Sequence, residues 1–152
     1  MASRAKTTCT VVVNRPPDEV FAYLADVNRH ADWSPKAYRV EGLPDRPIGV
    51  GTSFTSCGWV PRDAEHRNEV EVSAYQPPSR IEFTGKERGE AFVSTFVLTR
   101  QAGGTKVERH LDFPKPAGAG GIVFGVLFAT FIKPAVQKGM NMMKENVERS
   151  SV

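Results

Sequence analysis

Apolar and polar positions change period three times along the chain. Residues 7–13 are Thr, Cys and Val and predict a strand. Pro16-Pro17 stops it. Pro17 suits the first turn of a helix, where its missing N–H has no partner in any case. Asp18 and Glu19 follow at the positive end of the helix dipole. Val20, Phe21, Leu24 and Val27 then form one apolar face at i, i+1, i+4 and i+7. Asn28 is placed to cap a second short helix, which Ser34-Pro35 ends near Trp33.

From Lys36 to Phe113 the period falls to two. Strands are predicted over 37–41, 52–59, 68–75, 80–85, 91–100 and 105–113, with turns at Pro61-Arg62-Asp63, Gln76-Pro77-Pro78-Ser79, Arg88-Gly89 and Gly103-Gly104. Connections this short favour antiparallel pairing. Val107, Leu111 and Phe113 alternate with Lys106, Glu108, His110 and Asp112, as in a sheet covered on one face. The cover is the last segment. Ile132, Val136, Met140, Met143 and Val147 make a helical stripe opposite Gln137, Lys138, Asn141, Lys144, Glu145 and Glu148. Pro134 kinks this helix or marks its effective start.

The run 122–132 breaks the pattern, being apolar on every side, with Lys115 and Lys133 bordering a stretch without charge. It is shorter than the roughly 20 apolar residues of a membrane-spanning helix. Gly121, Gly125 and Ala129 recur every fourth position, which permits close helix approach. One face suffices for the sheet. Two readings of the other, with Val123, Phe124, Leu127, Phe128 and Phe131, stay open. It is either a portal that docks on a membrane, an apolar partner or a second copy, or a half-helix buried beneath loops.

At 152 residues the chain is expected to be one domain over 1–152, with 1–6 flexible. Lys and Arg total 20 against 17 Asp and Glu, a net charge of +3. No run of like charge offers a nucleic-acid tail or polybasic anchor, so no nucleic-acid partner is expected. Residues 1–6 have no apolar stretch behind their charges, so no secretory signal is expected and a cytoplasmic location is, with peripheral membrane contact left open. Cys9 and Cys57, with neither metal spacing nor a CxxC pattern, read as reduced structural thiols.

Several motifs together carry a resemblance. They are Pro16-Pro17-Asp18-Glu19-Val20-Phe21 with Leu24-Ala25-Asp26, then Trp33-Ser34-Pro35, Gly49-Val50-Gly51-Thr52-Ser53-Phe54, Pro78-Ser79-Arg80-Ile81-Glu82-Phe83 and Gly104-Thr105-Lys106-Val107. Over about 7–149 the chain resembles the START-like, or Bet v 1-like, superfamily, and within it the bacterial SRPBCC group of polyketide cyclases/dehydrases and lipid-transport proteins. The resemblance implies an α+β helix-grip fold. A curved seven-stranded antiparallel sheet would wrap around a long C-terminal helix, with two short helices between strands 1 and 2 and a cavity inside. Members bind lipids, polyketide intermediates, hormones or client proteins, so the fold does not name a substrate.

Arg109 is the sharpest single residue. If Val107 and Leu111 face inward, period two turns Arg109 inward as well, as an anchor for a carboxylate or enolate oxygen, or else as a side chain snorkelling to the cavity mouth. An apolar ligand site is expected around it, with Phe54, Trp59, Val72 and Phe83 from the strands. Phe96 and Leu111 join them, and the helix supplies Val126, Met140 and Met143, the methionines suiting an adaptable wall. Trp33 is expected to close the core beside Val20 and Leu24. His30 and His110 read as solvated and His66 as a loop residue near the rim. No pair of histidines has metal spacing, so neither metal nor cofactor is expected. Neither a GxSxG elbow nor a catalytic cysteine signature is present, and Gly118-Ala119-Gly120-Gly121 reads as a flexible hinge.

The preferred reading is therefore binding or transport of a hydrophobic small molecule, lipid or polyketide-like and with or without an acidic group, in a cavity between the sheet and the C-terminal helix. An aromatase/cyclase-like enzyme stays open, with Ser56, Ser94, Thr84 and Tyr75 as polar groups beside Arg109. So does a docking module through 121–132.

Overall fold

The stretch of period two folds into one sheet. The computed structural model describes residues 3–60, 63–87 and 89–150. In chain order these are β1 (Ser3–Val13), α1 (Pro17–Ala25), a 3-10 helix (Val27–Trp33), β2 (Tyr38–Glu41), β3 (Ser53–Gly58), β4 (Arg67–Gln76), β5 (Arg80–Glu87), β6 (Glu90–Gln101) and β7 (Gly104–Lys115). A continuous helical rod follows: α2 (Ala119–Leu127), a π-helical turn (Phe128–Ile132) and α3 (Lys133–Ser150). The strands lie in the order β1-β7-β6-β5-β4-β3-β2. Every neighbouring pair is antiparallel, giving the α+β helix-grip layout.

Strand ends shift by one or two residues, and three larger differences from the sequence reading bear on the fold. Residues 3–6, expected to be loose, extend β1 along Lys115 to Asp112 of β7, and Arg4 Nε donates to Asp112 Oδ1 at 2.8 Å. An edge strand can carry such polar residues, which is why the pattern hid it. Residues 1 and 2 lie outside the described residues, as do Pro61, Arg62 and Arg88 of two expected turns. The second helix is capped by position at Asp26, with no side-chain bond, and not by Asn28. Gly118 alone, at φ 66°, turns the chain before α2. The expected hinge glycines Gly120 and Gly121 are already helical. Gly121 instead packs against the chain's own Pro116, whose carbonyl lies 2.3 Å from where a Cβ would sit.

The solid part of the core lies where α1, α3 and β1 meet. Val13, Val20, Leu24, Met140 and Met143 are fully enclosed there, with Val147 close to it. Polar ties hold α3 in place: Gln137 Nε2 donates to Thr10 O at 3.3 Å, and Asn146 Nδ2 donates to Tyr23 Oη at 3.1 Å and to Asp32 O at 3.2 Å. Gly139 lets α3 pass the end of the 3-10 helix, because a Cβ there would lie 3.0 Å from Trp33 O. The outer face of the sheet is polar, with Ser73, Glu82, Thr84 and Thr95 bonded across β4, β5 and β6.

Candidate functional site

Toward β3, β4 and the start of α3 the interior is hollow. A cavity of about 180 Å³ is lined by residues of β2 to β7, by His30 and Trp33 of the 3-10 helix and by Val136 of α3. That is roughly ten times the space one water needs. A smaller lobe of about 60 Å³ shares His30, Trp33, Tyr38, Trp59, Arg109 and Val136 with it.

Arg109 stands in the middle of β7 between enclosed Val107 and Leu111, and alternation turns it inward. Its Nε donates to Ser94 Oγ at 3.0 Å. Its guanidinium carbon lies 5.0 Å from the Phe96 ring centroid and 5.5 Å from that of Trp33, within cation–π range. Loss of water pulls its pKa down to about 10, so the group remains charged at neutral pH. Among the described residues no carboxylate pairs with it. It faces the cavity with one serine and two aromatic rings as its partners.

Two further groups bracket it. Burial pushes the Tyr38 phenol up to about 12, with the Ser56 hydrogen bond and the Arg109 charge opposing that rise. Tyr38 is therefore a neutral donor at pH 7. His30 is buried, and its Nε2 donates to Leu24 O at 2.7 Å, since a carbonyl can only accept. Desolvation lowers its pKa to about 4, and the Arg109 charge adds to the fall. The imidazole is thus neutral, with Nδ1 as its acceptor.

Six of the expected site residues line the cavity: Phe54, Trp59, Phe83, Phe96, Arg109 and Leu111. Four do not. Val72 lies one strand period beyond Val70, where the hollow has closed, and is fully enclosed in solid packing. Met140 and Met143 likewise point into the packed junction, because the cavity meets α3 only at Val136 and Gly139. Val126 is 58% exposed on the outside of α2. Of the polar groups weighed for an enzyme, Ser56 and Ser94 line the cavity. Thr84 bonds Ser73 on the outer face, and Tyr75 packs edge-on to Phe21 under α1.

His30 corrects the expectation of a solvated side chain. A 3-10 helix repeats every three residues, so positions i and i+3 eclipse. Val27, His30 and Trp33 are spaced by three, and all are buried. That spacing is a signal of burial that the sequence itself carries. Tyr38 was missed because β2 is too short to show alternation. Phe92 lies over Gly85, where a Cβ would meet its ring at 2.2 Å, and stacks on Phe113 at 5.4 Å. Both rings line the cavity. Trp59 stands where the hollow reaches the surface beside Val60. Its φ of 70° is left-handed, a strained backbone for a bulky residue. Bonds from Gly58 N to His66 O and from Trp59 N to Ala37 O, both 2.8 Å, hold it there.

Residues 4–148 match the family model of polyketide cyclase / dehydrase and lipid transport. The chain belongs to that family. No curated protein matches it in sequence. Solved structures share its fold at low identity. A Thermus thermophilus protein superposes with TM-score 0.80 at 17% identity, covering 97% of this chain and 100% of that one. A Staphylococcus aureus protein of unknown function gives 0.79 at 10%, covering 99% and 97%. The di-domain ARO/CYC StfQ of the steffimycin biosynthetic pathway gives 0.75 at 16%, covering 98% of this chain and 52% of that one. At these identities the likeness shows the fold alone.

Proposed function

We propose that this family member binds and carries a hydrophobic small molecule ending in an anion, a lipid-like or polyketide-like acid. The observation that carries the reading is Arg109: a desolvated guanidinium in an apolar cavity, hydrogen-bonded to Ser94 and faced by no carboxylate among the described residues. An unpaired charge taken out of water is costly, and a ligand carboxylate offsets that cost with a charge-assisted bond. The aromatic walls would take the apolar body.

Decanoate and 2-naphthoate, each titrated beside its alcohol by fluorescence displacement, test this. Arg109→Met is expected to weaken the acids at least tenfold and leave the alcohols within twofold. Equal affinity of wild type and Arg109→Met for both acids removes the reading. Whichever acid binds tighter indicates the class of body.

A cyclase reading is favoured by one arrangement. Neutral His30 and protonated Tyr38 line the same cavity as Arg109, the kinds of group that polarise a carbonyl and accept a proton. Turnover of a poly-β-ketone mimic that falls at least tenfold in Tyr38→Phe, with binding kept, is expected on that reading. Binding of the mimic without turnover leaves the carrier.

A further inference from the structure

The two parts of the C-terminal rod differ in what they show to solvent. In α2 and the π turn, Ile122 is 71% exposed, Val123 60%, Val126 58% and Phe131 68%. These residues, with Leu127, form one continuous outward stripe. The most apolar 18-residue window of the rod is hydrophobic enough for a bilayer, yet only 17% of it is buried. The opposite side of the same segment is used: Phe128 is buried, and its ring lies 5.9 Å from Phe113 and 6.0 Å from Phe124. Phe124 and Phe128, expected on the outer face, are therefore turned inward or half inward, and Ile122 and Val126 stand in their place.

Charge says what the stripe fits. From 113 to 144 the chain carries Lys115, Lys133, Lys138 and Lys144 and not one Asp or Glu. Lys133 and Lys138 are exposed just beyond the apolar stripe. An apolar face bordered by lysines, with acids missing for a long span around it, complements a surface that is greasy inside and negative at its rim. A length of 14 residues, about 21 Å at helical rise, is short of a roughly 30 Å hydrocarbon core. The whole rod is long and apolar enough to cross by length and composition, but its α3 half is packed into the fold through Val136, Met140, Met143 and Val147, so its free apolar part suits the surface of a bilayer.

We propose that α2 and the π turn form a membrane-docking portal, with an anionic lipid surface as the occupant. Two features connect docking to the cavity. Phe113 both lines the cavity and touches Phe128, so one layer of rings separates the lipid side from the hollow. The rod is also jointed at that place. Pro134 supplies no N–H to the preceding turn, the helix widens to π geometry over Phe128–Ile132, and Thr130 Oγ1 donates back to Val126 O at 2.7 Å. Such an interruption lets α2 tilt while α3 stays packed.

Flotation of the full chain with vesicles tests this, using phosphatidylcholine alone and phosphatidylcholine with one-quarter phosphatidylglycerol. Wild type is expected to float with the anionic vesicles and at least tenfold less with the neutral ones or in 0.5 M salt. Val126→Asp with Phe131→Asp is expected to lower flotation at least tenfold while circular dichroism and naphthoate binding stay at the wild-type level. Lys133→Glu with Lys138→Glu is expected to remove the preference for the anionic lipid. Arg109→Met should float as wild type does, so failure of the acid-anchor reading and failure of this one are separable. Absence of flotation by wild type overturns the proposal. So does equal flotation by wild type and the double-Asp variant. So does a wild-type dimer, seen by native mass spectrometry, that the double-Asp variant breaks while neither protein floats, since a second copy then covers the face.

Discussion

One sheet serves two interiors, a packed end and a hollow end. At the packed end Val13, Val20, Leu24, Val107, Met140 and Met143 are fully enclosed, all aliphatic or flexible and free to interdigitate. At the hollow end the walls are rings. Trp33 and Phe96, Phe54 and Phe83, and Phe83 and Phe96 meet edge to face, with centroids 6.0, 6.2 and 6.4 Å apart. Rings in such contacts brace one another and cannot fold into the space between them. Arg109 adds a second obstacle, because collapse would press hydrocarbon onto a charge. The difference teaches that a hollow is kept open by rigid side chains and one polar group, and not by a shortage of apolar residues.

The largest expected effect tests that contrast directly. Met143→Ala removes buried atoms from close packing and leaves a sealed void, a change that costs about 2–5 kcal/mol in such sites. Leu111 is only 3% exposed but borders the hollow, so the space left by Leu111→Ala joins a cavity that already exists. Its cost is expected to be lower by at least 1 kcal/mol, close to the transfer term alone. Urea unfolding of both variants measures this. Equal costs, or the reverse order, would mean that the two ends do not differ in packing.

The sheet and its cover were legible in the sequence because period and turn chemistry act locally. Alternation about Val107 and Leu111 was enough to turn Arg109 inward. What the residues did not carry was where along the strands the hollow stops. Val70 and Val72 have the same pattern and chemistry, yet only Val70 reaches the cavity. Their cross-strand partners differ: Val72 lies opposite Phe83, whereas Val70 lies opposite Gly85, which has no side chain, and those partners are distant in sequence. His30 differs for another reason: in a short helix of period three, Val27, His30 and Trp33 share one buried face.

Acid is expected to unsettle the hollow end before the packed one. His30 has a pKa of about 4 when folded against an ordinary value of 6.5. The unfolded chain thus binds a proton that the folded chain refuses. Stability is complete above about pH 6.5 and falls as pH drops toward 4. The whole loss is roughly 3 kcal/mol, from about 1.4 kcal/mol per pKa unit. Glu82 and Glu148 are held below their ordinary 4.5, so their own loss comes at lower pH and does not overlap most of this window. Unfolding free energies measured from pH 7 to pH 4.5 should slope downward in wild type and lie flatter in His30→Phe. Parallel curves for the two proteins would show that the buried imidazole is not the group responsible.

The smallest effect belongs to a residue outside both ends. Val126 is apolar and on the rod, which made it a natural candidate for the cavity wall, but it is 58% exposed on α2. Val126→Ser therefore opens no void and uncovers no wall. Its expected cost is within about 0.5 kcal/mol, the usual range for surface positions, and naphthoate affinity should not move. This near-silence is informative because the same substitution at a buried valine such as Val107 opens a void and strands a hydroxyl in the core. A cost above 2 kcal/mol for Val126→Ser would show that the outward stripe is covered in the free protein, and the rod would then have a third packed interior that its own chain does not provide.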